Sequence, residues 1–149
     1  MKIYIGADHN GFELKKQLIE YLRRNHYDLS DEGDITLDPQ DDYPQFAARV
    51  VTAMKTSEDS DPRGLLICGS GQGICIAANR FKGIRAAVCA DPEEAKSGRN
   101  DDDTNVLCLP ARVVTADQAE RILYTWLKTG FAGAPRFKRR IAELDALDT

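Results

Sequence analysis

The residues best suited to chemistry fall in one short run, Ile67-Cys68-Gly69-Ser70-Gly71-Gln72-Gly73, where a thiol and a hydroxyl are interleaved with glycines. Leu65 to Cys68 reads as a short buried strand, and the segment beginning at Ile74 reads as helix. Gly69, Gly71 and Gly73 let the backbone turn tightly and bring its N–H groups close to a ligand. A helix N-terminus favours negative charge, so an anion or a developing oxyanion is the natural guest of such a turn. A thiol placed beside those N–H groups at a strand's C-terminal end is a candidate base or nucleophile. The spacing matches neither G-x-G-x-x-G nor a Walker A loop, which disfavours a nucleotide. On the loop alone, a plain strand-to-helix turn with Cys68 as a small buried hydrophobe fits equally well.

Further candidates lie outside the loop. Asp8 and His9 follow the apolar strand Ile3 to Ala7 and precede a helix, which makes them candidates for the same crevice. Tyr43 fits either a structural role or one in the pocket. Arg136 and Arg140, four apart, project from one face of a terminal helix and could fork together onto a phosphate. Lys138, Arg139 and Arg140 also read as a solvated helix end, the usual case for such a run.

The elements that must position these residues alternate along the chain. Gly11 to Arg24 carries Phe12, Leu14, Leu18, Ile19 and Leu22 at helical spacing. Residues 27 to 33 read weakly as a second strand, and the acidic passage Asp34 to Pro44 reads as a surface loop. Pro44 suits the first turn of a helix through about Thr56. A polar turn, Ser57 to Gly64, leads into the central strand; Ile84 to Cys89 and Val106 to Leu109 complete the strands. Asp91-Pro92-Glu93-Glu94 reads as a helix start that Gly98 and the run Asn100-Asp101-Asp102-Asp103 end early. Thr115 can cap a helix from about Ala116 to Lys128, and a last helix covers about Arg136 to Leu147. Five strands alternating with helices predict a parallel sheet covered on both faces.

With 149 residues and 42% hydrophobic content, the chain needs only one domain. A formal net charge of -4 argues against nucleic acid as a partner. Cys68, Cys75, Cys89 and Cys108 show no C-x-x-C pairing, which favours free thiols in a reducing compartment over a metal site, a disulfide framework or a redox-active pair. No apolar run approaches the roughly 18 residues of a membrane span, and no signal peptide is read before the first strand, so a cytoplasmic protein is expected.

The pieces Gly6-Ala7-Asp8-His9-Asn10-Gly11-Phe12-Glu13-Leu14-Lys15, Asp42-Tyr43-Pro44, Ile67-Cys68-Gly69-Ser70-Gly71-Gln72-Gly73, Ala77-Ala78-Asn79, Gly83-Ile84-Arg85-Ala86 and Asp103-Thr104-Asn105-Val106-Leu107 resemble the ribose-5-phosphate isomerase B family, which includes the galactose-6-phosphate isomerase subunits. The similarity runs from the first strand to the last helix. It implies a Rossmann-like three-layer α/β sandwich over a five-stranded parallel sheet, no metal or nucleotide cofactor, and a sugar phosphate substrate. It also implies a homodimer or dimer of dimers with each active site at a subunit interface, so that the helix at about 136–147 packs on the partner. By the same resemblance Cys68 is the base that moves a proton between C1 and C2 of the open-chain sugar. Ser70 assists at the oxygens, and the N–H groups from Gly69 to Gly73 stabilise the enediolate. Asp8 and His9 match the ligand-binding pair, and Arg112, Arg136 and Arg140 the phosphate-binding arginines, the last two across a one-residue insertion near Pro135. Some members use a carboxylate just after the glycine loop as base; that position here is Ile74. One departure bears on substrate choice. Where the family usually carries the ring-opening histidine and a substrate-holding asparagine, this chain has Asp101 and Asp102. A carboxylic acid at Asp101 could serve only if its pKa were raised, whereas a tetrose phosphate, which cannot close a furanose ring, would need no such acid. A hexose phosphate, or a sugar-phosphate-binding protein without catalysis, completes the alternatives.

Overall fold

The computed structural model describes residues 1–147. Among them the chain forms β1 (Lys2–Ala7), α1 (Phe12–Arg24), β2 (Asp28–Asp31), α2 (Tyr43–Lys55), β3 (Pro62–Cys68), α3 (Gln72–Ala78), β4 (Ala86–Val88), α4 (Pro92–Asp102), β5 (Val106–Pro110), α5 (Ala116–Lys128) and α6 (Pro135–Asp145). All strand pairings are parallel, in the order β2-β1-β3-β5-β4. The predicted α/β architecture, a five-stranded parallel sheet between two helical layers, is the one observed.

Side chains alternate across the sheet, as the period of two demands. Ile3, Ile5, Leu65, Ile67, Leu107 and Leu109 face α1 and α5, where Leu18, Leu22, Ile122 and Trp126 cover them. Tyr4, Leu66, Cys68, Val106 and Cys108 face α2 and α3, packing on Phe46, Val50, Met54 and Ile74. Cys68 therefore belongs to the second layer, at its upper rim.

The strand order reverses between β1 and β3. The chain goes outward from β1 to β2 on one side and from β3 towards β5 and β4 on the other. Such a reversal opens a crevice at the C-terminal strand ends. Because Ala7 pairs with Ile67, the residues that follow, Asp8 and Cys68, are brought to the same crevice.

Several boundaries differ from the sequence expectation. β3 begins at Pro62, inside the predicted polar turn, because Lys2 of β1 pairs there; a proline is tolerated at a strand's first residue. β4 is shorter than Ile84 to Cys89, pairing only through Ala86, Ala87 and Val88. α6 begins one residue earlier than expected and ends at Asp145. α4 is not cut short at Gly98 but runs to Asp102. Arg99, buried in its last turn, donates to Asp103 Oδ1 at 2.8 Å and to the Thr104 carbonyl. Thr104 N–H returns to the Gly98 carbonyl at 3.0 Å, with Asp103 in the left-handed region at φ 47°. These tertiary bonds outweigh the low helix propensity of Gly98 and the aspartates.

Candidate active site

The glycine loop turns as its composition predicts. Gly71 has φ 74°, and a Cβ there would lie 3.1 Å from Val88 Cγ1 and 3.2 Å from the Leu109 and Pro110 backbone, so both the dihedral and the space select glycine. Cys68, 4% exposed, accepts the Gly71 N–H at 3.2 Å through Sγ. Ser70 is exposed, and its Oγ accepts the Gln72 N–H at 3.2 Å. The loop after β5 is stitched to this turn: Ala111 N–H donates to the Cys68 carbonyl and Arg112 N–H to the Gly69 carbonyl, both at 2.9 Å. Arg112 lies directly over Gly69, whose added Cβ would come 2.9 Å from the guanidinium carbon. Tyr43, at the start of α2, covers Gly73 in the same way, at 2.7 Å. The fold thus sets the Tyr43 ring against the glycine loop.

On the β1 side, Asp8 is buried and its Oδ1 accepts N–H bonds from Asn10 at 3.0 Å and Gly11 at 3.2 Å. Asp8 N–H bonds the Ile67 carbonyl at 3.2 Å, which ties this turn to β3 one residue before Cys68. His9 meets Asp41, from the acidic passage before α2. Asp41 Oδ1 accepts the His9 backbone N–H at 2.9 Å and lies 2.7 Å from His9 Nδ1. Asn10 Nδ2 is 3.2 Å from His9 Nε2, and Arg112 Nη2 donates to Asn10 Oδ1 at 3.2 Å. The bond to Asp41 chiefly raises the His9 pKa above its ordinary value; Asp8 adds to the rise, while partial burial and Arg112 oppose it. No spacing rule links His9 to Asp41, 32 residues apart. The one sequence clue was that the acidic loop ends beside Asp42-Tyr43-Pro44.

The loop carrying Asp41 is anchored at its start. Buried Lys15 reaches both carboxylate oxygens of Asp31 at 2.9 Å and the Asp34 carbonyl at 2.8 Å, and Arg49 bonds Asp34 at 2.9 Å. Asp8, His9 and Asp41 bring potential ligand atoms within 4.8 Å of one another. Their convergence is explained by the His9–Asp41 bond and by Asp8 serving its own turn, so these oxygens are already committed to hydrogen bonds.

The remaining predicted site residues do not join this crevice within one chain. Asp101 and Asp102 end α4, just before β5 begins at Val106, and are therefore at the N-terminal edge of the sheet. Gly64 pairs with Val106 and Cys68 with Pro110, so strand rise alone separates the two edges by about 13 Å. Arg136 and Arg140 are exposed on α6. The segment before α6 donates from Ala132 N–H to the Asn100 carbonyl at 3.1 Å, and Leu144 and Asp145 line a cavity with Asp102 and Ala86. α6 thus travels with the Asp101–Asp102 edge. Asp101 accepts from Asn100 Nδ2 at 2.7 Å, while Asp103 is used structurally by Arg85 and Arg99. Asp102 is exposed.

All four cysteines are free and buried. Burial pushes the Cys89 thiol up to about 12, with Glu94 and Asp91 adding to it. Burial likewise raises Cys108, whose S–H bond holds Cys75 below the ordinary thiol range.

The ribose/galactose isomerase family profile matches residues 3–144. The chain is 40% identical over 146 residues to a probable ribose-5-phosphate isomerase B of Mycoplasma pneumoniae, covering 98% of this chain and 94% of that one. It is 37% identical to a 4-deoxy-4-sulfo-D-erythrose isomerase of Clostridium sp., over 88% of this chain and 81% of that one. Among solved structures, ribose-5-phosphate isomerase B from Mycoplasma genitalium with bound ribulose 5-phosphate superposes with a TM-score of 0.92 at 38% identity, covering 99% of this chain and 95% of that one.

Proposed function

The chain belongs to the ribose/galactose isomerase family, and from that premise we propose that it interconverts ribose 5-phosphate and ribulose 5-phosphate through an enediolate, with Cys68 as the base. The observation that carries this reading is the position of Cys68: its Sγ takes the Gly71 N–H at the sheet's switch point, beside the Asp8–His9 turn and next to Gly69, which Arg112 overlies. As thiolate, Cys68 removes the proton from C2 of the open-chain aldose. The electron pair moves into a C1–C2 double bond, and the carbonyl oxygen takes up negative charge. N–H groups of the Gly69–Gly73 turn face that charge, and the Ser70 hydroxyl moves protons between the two oxygens. Return of the proton to C1 gives the ketose. Arg112 and His9 hold the phosphate end on this chain, and Asp8 keeps the His9 turn in place.

Arg136, Arg140, Asp101 and Asp102 complete the site from a second copy of the chain. α6 buries only Phe137 among its own residues and leaves Leu144 exposed, the pattern of a helix awaiting a partner surface. A homodimer or a dimer of dimers supplies that surface. Buried free cysteines fit a reducing compartment, the cytoplasm, and no helix among the described residues is long and apolar enough to cross a membrane.

A second reading is favoured by the relative that acts on a sulfonated tetrose and by Asp101: an open-chain tetrose phosphate, which needs no ring-opening acid. A panel of ribose, tetrose and hexose phosphates with wild type, Asp101→Asn and Asp101→His separates the two. Ribose 5-phosphate turnover that falls in Asp101→Asn and rises in Asp101→His supports the pentose reading, with residue 101 facing the ring oxygen. Turnover confined to the tetrose and indifferent to both substitutions overturns it.

A further inference from the structure

The geometry around His9 assigns a role to a residue that neither the glycine loop nor the arginines explain. We infer that Asp41 is a positioning residue: it fixes the proton on His9 Nδ1, turns Nε2 towards the crevice, and so sets the pH range over which His9 helps Arg112 hold the ligand's phosphate. The inference rests on the reading of this crevice as a sugar phosphate site.

One oxygen of Asp41, whose side chain is 7% exposed, accepts from two groups of the same residue, the backbone N–H and the ring Nδ1. Two bonds from one carboxylate oxygen fix both the position of His9 and the rotation of its ring. With the proton on Nδ1, Nε2 is an acceptor and takes the Asn10 amide, whose oxygen in turn accepts from Arg112. A continuous chain of bonds therefore runs Asp41–His9–Asn10–Arg112, from the loop before α2 to the loop after β5. Uptake of a second proton converts Nε2 into a donor. It then opposes the Asn10 amide donor and needs an acceptor, which an incoming phosphate oxygen supplies alongside the Arg112 guanidinium.

Within one chain the charged groups acting on the ring are Asp41 and Asp8, which favour the imidazolium, and Arg112, which opposes it; in the assembled site Arg136 and Arg140 of the second copy add to that opposition, in wild type and Asp41→Asn alike. Because the His9 pKa is raised, the cation is fully present below the ordinary histidine range. Its contribution to anion binding is lost as pH rises through the raised value. Removing the Asp41 charge moves that loss to lower pH.

The experiment is a histidine-selective nitrogen-15 and proton titration of the assembled protein, aided by the presence of only two histidines, His9 and His26, with His26→Gln assigning the resonances. In wild type the neutral His9 ring is expected to carry its proton on Nδ1, which requires no variant. In Asp41→Asn the His9 midpoint is expected to fall. The affinity for inorganic phosphate, followed against pH, should weaken at correspondingly lower pH. With sugar phosphate, KM should rise several-fold on the alkaline side and kcat should change less. A neutral wild-type ring protonated on Nε2, or a His9 midpoint unmoved in Asp41→Asn, overturns the inference. If no sugar phosphate is turned over, the isomerase reading falls by itself, and the histidine titration still decides the role of Asp41.

Discussion

Replacing Cys68 with alanine tests the chemistry most directly, because the structure separates what the sulfur does for stability from what it does for catalysis. Cys68 is 4% exposed, and its Sγ is the acceptor for the buried Gly71 N–H. Cys68→Ala leaves that donor unsatisfied, at a cost of about 1–3 kcal/mol. For a chain of this length each kcal/mol lowers Tm by about 2–4 °C, so the variant should still fold at 25 °C. The turn itself is held independently, by the Gly71 backbone conformation and by the Ala111 and Arg112 N–H bonds to the Cys68 and Gly69 carbonyls. Activity should fall much further. Loss of a positioned base costs about 10²–10⁴ in rate, or roughly 3–5 kcal/mol of barrier. Cys68→Ser retains an oxygen to accept the Gly71 N–H and should recover much of the lost Tm. It should remain inactive, because a serine hydroxyl is a far weaker proton acceptor than a thiolate. The assays are aldose-to-ketose turnover and exchange of the C2 proton of ribose 5-phosphate in deuterium oxide, which isolates proton transfer from product release. A folded Cys68→Ala protein that exchanges and turns over within about tenfold of wild type would refute Cys68 as the base.

Three further expectations concern ligand binding, assembly and the core. Arg136→Ala and Arg140→Ala should each raise KM more than they lower kcat, through loss of a charge-assisted contact worth about 1.5–3 kcal/mol. At substrate concentrations well below the KM of the double arginine variant, mixing and refolding it with Cys68→Ala should restore about a quarter of wild-type activity if each site draws Cys68 from one copy and the arginines from the other; no recovery would place both sets on one chain. Trp126→Phe removes the indole N–H bond to Thr104 Oγ1 at 3.0 Å and exchanges the indole that Arg63 and Arg99 overlie at 5.2 and 5.8 Å for a smaller phenyl ring. It should lower the denaturation midpoint by about 1–3 kcal/mol equivalent without changing the slope, and an unchanged midpoint would show that the pair of guanidiniums does not depend on the indole.

What could be read from the sequence depended on whether the relevant contact was local. The strand ending at Cys68 and the glycines after it form a local pattern, and the Asp8–His9 turn is equally local to β1. Parallel pairing of β1 with β3 then brings the two together without further information. The persistence of α4 was not readable, because it depends on Arg99 reaching Asp103 and on Thr104 being engaged by Trp126, a residue of α5. Asp41 was missed for the same reason. Its loop has no periodicity, and its course follows from Lys15 and Arg49 holding Asp31 and Asp34 while His9 holds its other end.

The placement of Asp101 and Asp102 is a matter of direction rather than of contact. In a parallel sheet, residues that follow a strand stand at one edge, and residues at the end of the helix returning to the next strand stand at the other. Cys68 ends a strand and Asp8 and Arg112 follow strands, whereas Asp101 and Asp102 precede β5, and the segment before α6 is bonded to Asn100 beside them. No rotamer or loop adjustment brings these two edges together within one chain, because a packed sheet lies between them. If both sets act on one substrate, the second set must come from another copy turned so that its N-terminal edge meets the crevice of the first. A two-fold arrangement does this twice at once and yields two equivalent sites, so that assembly and activity become one equilibrium.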